Sequence, residues 1–289
     1  MTAATDPIGQ SRDLPLDGHL HTNLSPDSDV PIDVYAAQAV ERGIAELAIT
    51  DHVDFDPRYP AYDYADFATR ERTVREAAER WAGQVSILFG VELTYERRHE
   101  DAVREHLHSH AYDYAIGSVH VGLDSPYVAA RVAAFVAGNT LAEVVRPYFD
   151  EVEAAIRSGL FDTIGHLDFV KRYLYPHITP GDLAAAPELY EPLLRALVET
   201  GTALEINTSG LRQAASETYP SPAIVARYRA LGGRRVTAGS DAHRADWFAF
   251  GLEEGYRAAA RAGFERLTFR RGAEAATVDL PARAYEQRG

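Results

Sequence analysis

Two imidazoles one residue apart set the first chemical question. In Asp17-Gly18-His19-Leu20-His21-Thr22, a strand would point Asp17, His19 and His21 to one face, because side chains two apart share a side. His19 and His21 together make a chelate for a divalent cation that still needs further ligands. Asp17, one step deeper, is placed to receive an imidazole N–H. A lone His-x-His is weak evidence by itself, so its weight depends on whether other donors converge on it.

Other donors recur at a common kind of position. Apolar runs at 14–21, 44–50, 85–91, 112–119, 161–165, 202–206 and 235–238 read as strands. His19 and His21 end the first, His52 follows the second, and Glu92 ends the third. His120 and His166 end the fourth and fifth, and Asp241 with His243 follows the seventh. Helical stretches alternate with them. One carries Pro31 in its first turn, with Ser28 or Asp29 as its cap and Gly43 as its stop. Others span 66–81, 100–110, 187–200 and 223–231, and one starts at Asp246. Thr140-x-x-Glu143 is a capping box that opens a helix to about 158, with Pro147 as a possible kink. A short strand at 267–270 closes the chain.

Alternation of strand and helix predicts an α/β fold with a mostly parallel sheet. Seven or eight such units in 289 residues predict a closed β/α barrel. The C-terminal strand ends of such a barrel share one face, so these donors would meet there.

Composition narrows the chemistry. The chain has no cysteine, so any metal must be held by His and carboxylates. The formal net charge of −14 argues against a nucleic-acid partner and leaves room for a small anionic substrate beside a few local cations. Apolar runs are too short to span a bilayer, and the first residues do not read as a signal peptide, so a cytoplasmic protein is expected. Residues 1–13 read as a loose leader and 14–289 as one domain. Nothing fixes the oligomeric state.

Six segments then carry a resemblance. Asp17-Gly18-His19-Leu20-His21-Thr22, Ile49-Thr50-Asp51-His52, Gly90-Val91-Glu92, Gly117-Ser118-Val119-His120, Gly165-His166 and Ser240-Asp241-Ala242-His243 resemble, in that order, the motifs of the polymerase-and-histidinol-phosphatase (PHP) superfamily. The match spans about 17–251. Within it, the segment from Gly165 through Lys171-Arg172-Tyr173 and the segment Glu205 to Arg212 look like the histidinol-phosphatase branch. The segment 122–138 gives no clear match to that branch. The resemblance implies a distorted (β/α)7, TIM-like barrel of PHP fold with up to three divalent ions. His19, His21, Glu92 and Asp241 would hold the first. Glu92 would bridge to a second, shared with His120 and His166. Asp27, His52 and His243 would hold the third.

A thiolate-free donor set suits Zn, Mn or Fe without choosing among them. Paired metals would activate a hydroxide, held by His19, His21, Glu92, His120, His166 and Asp241, to attack phosphorus. Arg172, Arg212, Lys171 and His177 are the candidates to meet the substrate. The function this implies is hydrolysis of L-histidinol phosphate to L-histidinol and phosphate. Rival readings are a PHP phosphoesterase for a nucleotide, a phosphotyrosine or a nucleic-acid end, a metal-dependent amidohydrolase, and a non-catalytic PHP module.

Overall fold

The computed structural model describes residues 14–271 and 274–286, so the expected leader at 1–13 lies outside the described residues. Eight strands form one parallel sheet: β1 Asp17–Leu20, β2 Glu46–Ile49, β3 His52–Val53, β4 Ser86–Thr94, β5 Tyr114–Ser118, β6 Thr163–Ile164, β7 Ala203–Asn207 and β8 Val236–Gly239. Their order is β1-β2-β4-β5-β6-β7-β8, and β3 pairs with the far end of β4, setting His52 beside Glu92. A parallel bridge between Leu20 and Ala242 joins the last strand to the first. The Asp241 N–H donates to the His19 carbonyl (2.8 Å) and the His21 N–H to the Ala242 carbonyl (3.0 Å). The result is a nearly closed barrel with seven strands along its path, where the alternation predicts a closed barrel of seven or eight units and the resemblance a distorted one of seven.

Period-two alternation sorts the side chains. Leu204, Ile206, Val236 and Ala238 face the helices in the large outer core, whereas their neighbours Glu205, Asn207, Thr237 and Gly239 face the interior. At the barrel floor Leu16, Ala48, Leu88, Tyr114 and Ile116 form a second, inner cluster with Phe269. Phe269 belongs to β9 Arg266–Arg271, which pairs antiparallel with β10 Glu274–Asp279. The sequence indicates a terminal strand but not its partner. The hairpin plugs one end of the barrel, and the donors occupy the other.

Helix boundaries follow local chemistry, with two corrections. The first helix, Ile32–Arg42, has Pro31 at its N-cap and no side-chain cap, because the Ser28 oxygen accepts from the Val30 N–H (3.3 Å) ahead of the helix while its hydroxyl donates to the His21 carbonyl (2.9 Å). No helix starts at Asp246. Ala245–Trp247 is a 3-10 turn and the helix runs over Leu252–Arg261, directly after Gly251 at φ 72°. Leu141–Ser158 carries the full capping box and runs through Pro147 as one helix.

Candidate metal centre

The barrel strand ends, that of β7 excepted, deliver their donors into one mouth. The Nε2 atoms of His19 and His21 lie 3.1 Å apart, and each is 3.4 Å from Glu92 Oε2. Asp241 Oδ1 is 3.5 Å from the His21 Nε2 and 3.9 Å from that of His19. The other Glu92 oxygen, Oε1, lies 3.0 Å from His166 Nε2 and 3.5 Å from His120 Nε2. At the rim, Asp27 Oδ2 sits 3.3 Å from His52 Nε2 and 3.1 Å from His243 Nε2. His52 turns its second nitrogen, Nδ1, to Glu92 Oε2 at 2.9 Å. That ring therefore links the rim to the deep cluster rather than serving the rim alone.

These residues fit divalent cations. In a tetrahedral site with Zn–N near 2.0–2.1 Å, neighbouring ligand atoms lie about 3.3 Å apart. The deep donors are spaced in that range, with their nitrogen and oxygen atoms facing one another. Glu92, with one oxygen toward each set of rings, is shaped as a bridge. One donor atom from each of His19, His21 and Asp241 falls within 4.8 Å of the others. The same holds for His52, Glu92 and His120, and for His21, Asp27, His52 and His243.

The electrostatics agree with a site built for positive charge. Burial alone would lower the pKa of His19, yet the carboxylates of Glu205, Glu92 and Asp241 raise it well above its usual value. His52 is raised likewise, against its own burial, by Glu92 and Asp27. Burial, then His243 and His52, lower His21. Glu92 and Asp241 are held well below the carboxylate range by the histidines around them, although burial opposes this. Protons stabilise this arrangement of anions where a metal cation would do so more strongly.

Supporting contacts fix the strand-end loops. Asp17 does not receive an imidazole N–H, which corrects the expectation for it. Its carboxylate accepts from the Ser240 N–H (2.8 Å) and hydroxyl (2.6 Å), pinning the loop before Asp241, and burial lifts its pKa to about 6. The carboxylate that does hold an imidazole is Glu205 on β7, 2.7 Å from His19 Nδ1. Sequence reasoning quoted Glu205 as part of a motif without giving it a role. The signal available was a charged residue on the inward parity of a strand whose alternate residues are apolar. Two arginines hold carbonyls of donor-bearing segments. Buried Arg70 donates to the Asp51 carbonyl and to that of His52 (3.2 Å). Arg212 donates to the carbonyls of Ser240 and Asp241, each at 2.9 Å.

A cavity of about 500 Å³ opens above the donors, bordered by Tyr59, Phe169, Tyr173 and Trp247. Of the four substrate candidates, Arg172 and Arg212 border it. Arg172 is exposed and stands 5.6 Å over the Phe169 ring. The Nε of Arg212 is buried without a hydrogen-bond partner among the described residues. Lys171 and His177 do not border the cavity, a correction with a physical reason for each. Lys171 is 2% exposed and paired with Asp168 and Glu217, both at 3.0 Å. His177 points to solvent on the following loop. A further acid-and-imidazole group, Asp56, Glu96 and His99, is already answered by Arg58 and Arg98 (2.6–2.7 Å) and is an ion-pair network.

Residues 17–209 match the PHP domain family. A Deinococcus radiodurans protein named "Probable histidinol-phosphatase" is 31% identical over 261 residues, covering 88% of this chain and 96% of that protein. The "Histidinol-phosphatase" of Lactococcus lactis is 26% identical over 258 residues, covering 87% and 93%. A crystal structure of the histidinol phosphate phosphatase from that organism, complexed with Zn, L-histidinol and phosphate, superposes with a TM-score of 0.76. It covers 91% of this chain and 98% of that one at 24% identity, which establishes the shared fold.

Proposed function

This chain belongs to the PHP domain family, and on that premise we propose that it is a metal-dependent phosphomonoesterase. Its reaction is hydrolysis of L-histidinol phosphate to L-histidinol and phosphate, a step of histidine synthesis. The observation that carries the reading is Glu92, buried between two sets of imidazoles on the floor of a cavity that two arginines border. His19, His21, Asp27, His52, Glu92, His120, His166, Asp241 and His243 would hold up to three ions of Zn, Mn or Fe. Bound ions of this kind supply Lewis acidity toward phosphoryl oxygens and lower the pKa of the attacking water.

The chain's own residues supply the rest. Arg172 offers an exposed guanidinium suited to bidentate contact with phosphate. Arg212 keeps Asp241 in place through its carbonyl while bordering the cavity. Phe169, Tyr173 and Trp247 give the organic half of the substrate an apolar wall. In this reading 14–289 act as one domain, because the β9–β10 hairpin plugs the barrel floor through Phe269. The partner is a small phosphorylated substrate rather than nucleic acid, and the location is the cytoplasm. No helix among the described residues is long and apolar enough to cross a membrane.

The amidohydrolase alternative often bridges its metals with a lysine on a strand, and Lys171, the sole lysine of the chain, is committed to Asp168 and Glu217, which disfavours it. The test is a panel of esters assayed with added Zn or Mn: L-histidinol phosphate, p-nitrophenyl phosphate, nucleotides and phosphotyrosine. Histidinol phosphate is expected to lead in kcat/KM by at least about a hundredfold, and chelation to abolish turnover reversibly. Preference for a nucleotide overturns the substrate. Full activity in a metal-stripped sample overturns the mechanism.

A further inference from the structure

Strand β7 sends no direct donor into the metal cluster, yet its inward residues touch three of the donors. Glu205 Oε1 is 2.7 Å from His19 Nδ1. A carboxylate only accepts, so this nitrogen carries a proton, and Nε2, the atom facing His21, Glu92 and Asp241, is the one left to offer a lone pair to a metal. Glu205 Oε2 accepts from the backbone N–H of His166 at 2.7 Å and from the Asn207 amide at 3.1 Å. His166 adopts φ 20°, a backbone conformation that few non-glycine residues take. The same Asn207 amide reaches Asp241 Oδ2 at 3.3 Å. Its carbonyl oxygen is fixed in turn by the Ser209 N–H (3.0 Å) and hydroxyl (2.6 Å).

Two neighbouring rings lack such an anchor, whereas the His120 Nδ1 has the Thr94 hydroxyl at 3.0 Å. The outer nitrogens of His21 and His166 are buried with no hydrogen-bond partner among the described residues. The space for the Glu205 carboxylate is made by glycines on both flanking strand ends. A Cβ at Gly239 would lie 2.9 Å from Glu205 Oε1 and 2.3 Å from the His19 Cβ. One at Gly165 would lie 2.4 Å from the Ser118 hydroxyl and 3.5 Å from Glu205 Oε2. The chain thus keeps two glycines where larger residues would displace this carboxylate or its neighbours.

We propose that Glu205, with Asn207, is the positioning pair of the metal centre, orienting His19, His166 and Asp241 for metal binding without itself touching metal or substrate. The inference rests on the metal-centre reading above. Its test measures Zn affinity of the full chain by competition with a chromophoric chelator. The melting temperature of the metal-stripped protein and the KM for L-histidinol phosphate are measured beside it. Glu205→Gln keeps the size but turns one acceptor oxygen into an amide that opposes the donors around it. It is expected to weaken Zn binding by about 10–100-fold, with KM little changed.

A purely structural role predicts the opposite split: a lower melting temperature for the stripped protein with wild-type Zn affinity. That result overturns the inference. Should Glu205→Gln fail to fold, Asn207→Ala leaves the Glu205–His19 contact intact and is expected to weaken Zn about tenfold. Wild-type affinity in folded Asn207→Ala overturns the inference equally. If the wild-type protein itself binds none of Zn, Mn or Fe, the metal-centre reading falls, and this inference with it.

Discussion

Histidines cluster in two places in this molecule, and only one of the clusters groups its donors so that they could hold a metal. At the barrel mouth, imidazoles from separate strand ends surround Glu92 and Asp241, and their nitrogens face carboxylate oxygens. On the helix Glu100–Ser109 and the residue after it, the rings of His106 and His110 are just as close, with centroids 4.3 Å apart. Their nitrogens face the Tyr112 hydroxyl (2.9 Å) and the His106 carbonyl (2.9 Å). Phe55 and Phe67 pack around them. His108, between them, is exposed. The ring-to-ring spacing is similar. What separates the two is the carboxylate placed between rings, and the burial that makes an unfilled set of lone pairs costly.

The strongest test of that contrast is Glu92→Gln. Removing the bridging charge is expected to lower kcat/KM by more than about a hundredfold and to reduce bound metal, since even outer-shell changes cost about 10–100-fold. Retained turnover would break the comparison at its centre. At the rim, where Asp27 is 48% exposed and shared by only two rings, Asp27→Ala is expected to cost about tenfold. Elemental analysis should then show partial loss of metal with the deep ions retained. A loss as large as that of Glu92→Gln would show that rim and floor are one unit.

The smallest effect belongs to His106→Gln, expected to leave kcat/KM within about twofold. Its consequence lies in acid stability. Burial, with His110 and Arg70 nearby, depresses the His106 pKa to about 4. The unfolded chain takes up that proton near pH 6.5, so between 6.5 and 4 it binds more protons than the fold does. Stability falls as pH drops through that window. Chemical denaturation of His106→Gln from pH 7 to pH 4 should give a shallower decline than wild type. An identical decline removes His106 from the account, and a loss of metal binding would erase the distinction between the clusters.

Legibility from sequence follows the same line. Glu92 and His120 could be read because each closes an apolar run, and parity along a strand is a local property. The capping box at Thr140 and Glu143 was readable for the same reason. Lys171 was not, because its cationic type suggests phosphate while its fate depends on Asp168 and on Glu217, which is distant in the chain. Ser28 does not cap the helix because its oxygen accepts from the Val30 N–H instead.

By itself, the sequence determined the donor types, the absence of thiolate, the strand periods and the strand ends at which the donors fall. Tertiary structure decided which atoms meet: that Asp17 turns to Ser240 and Glu205 to His19, that His52 faces both rim and floor, and that Arg212 holds a carbonyl. The physical reason is that spacing along a strand fixes the face a side chain takes. Its partner is fixed by what the other strands bring to that face when the barrel closes.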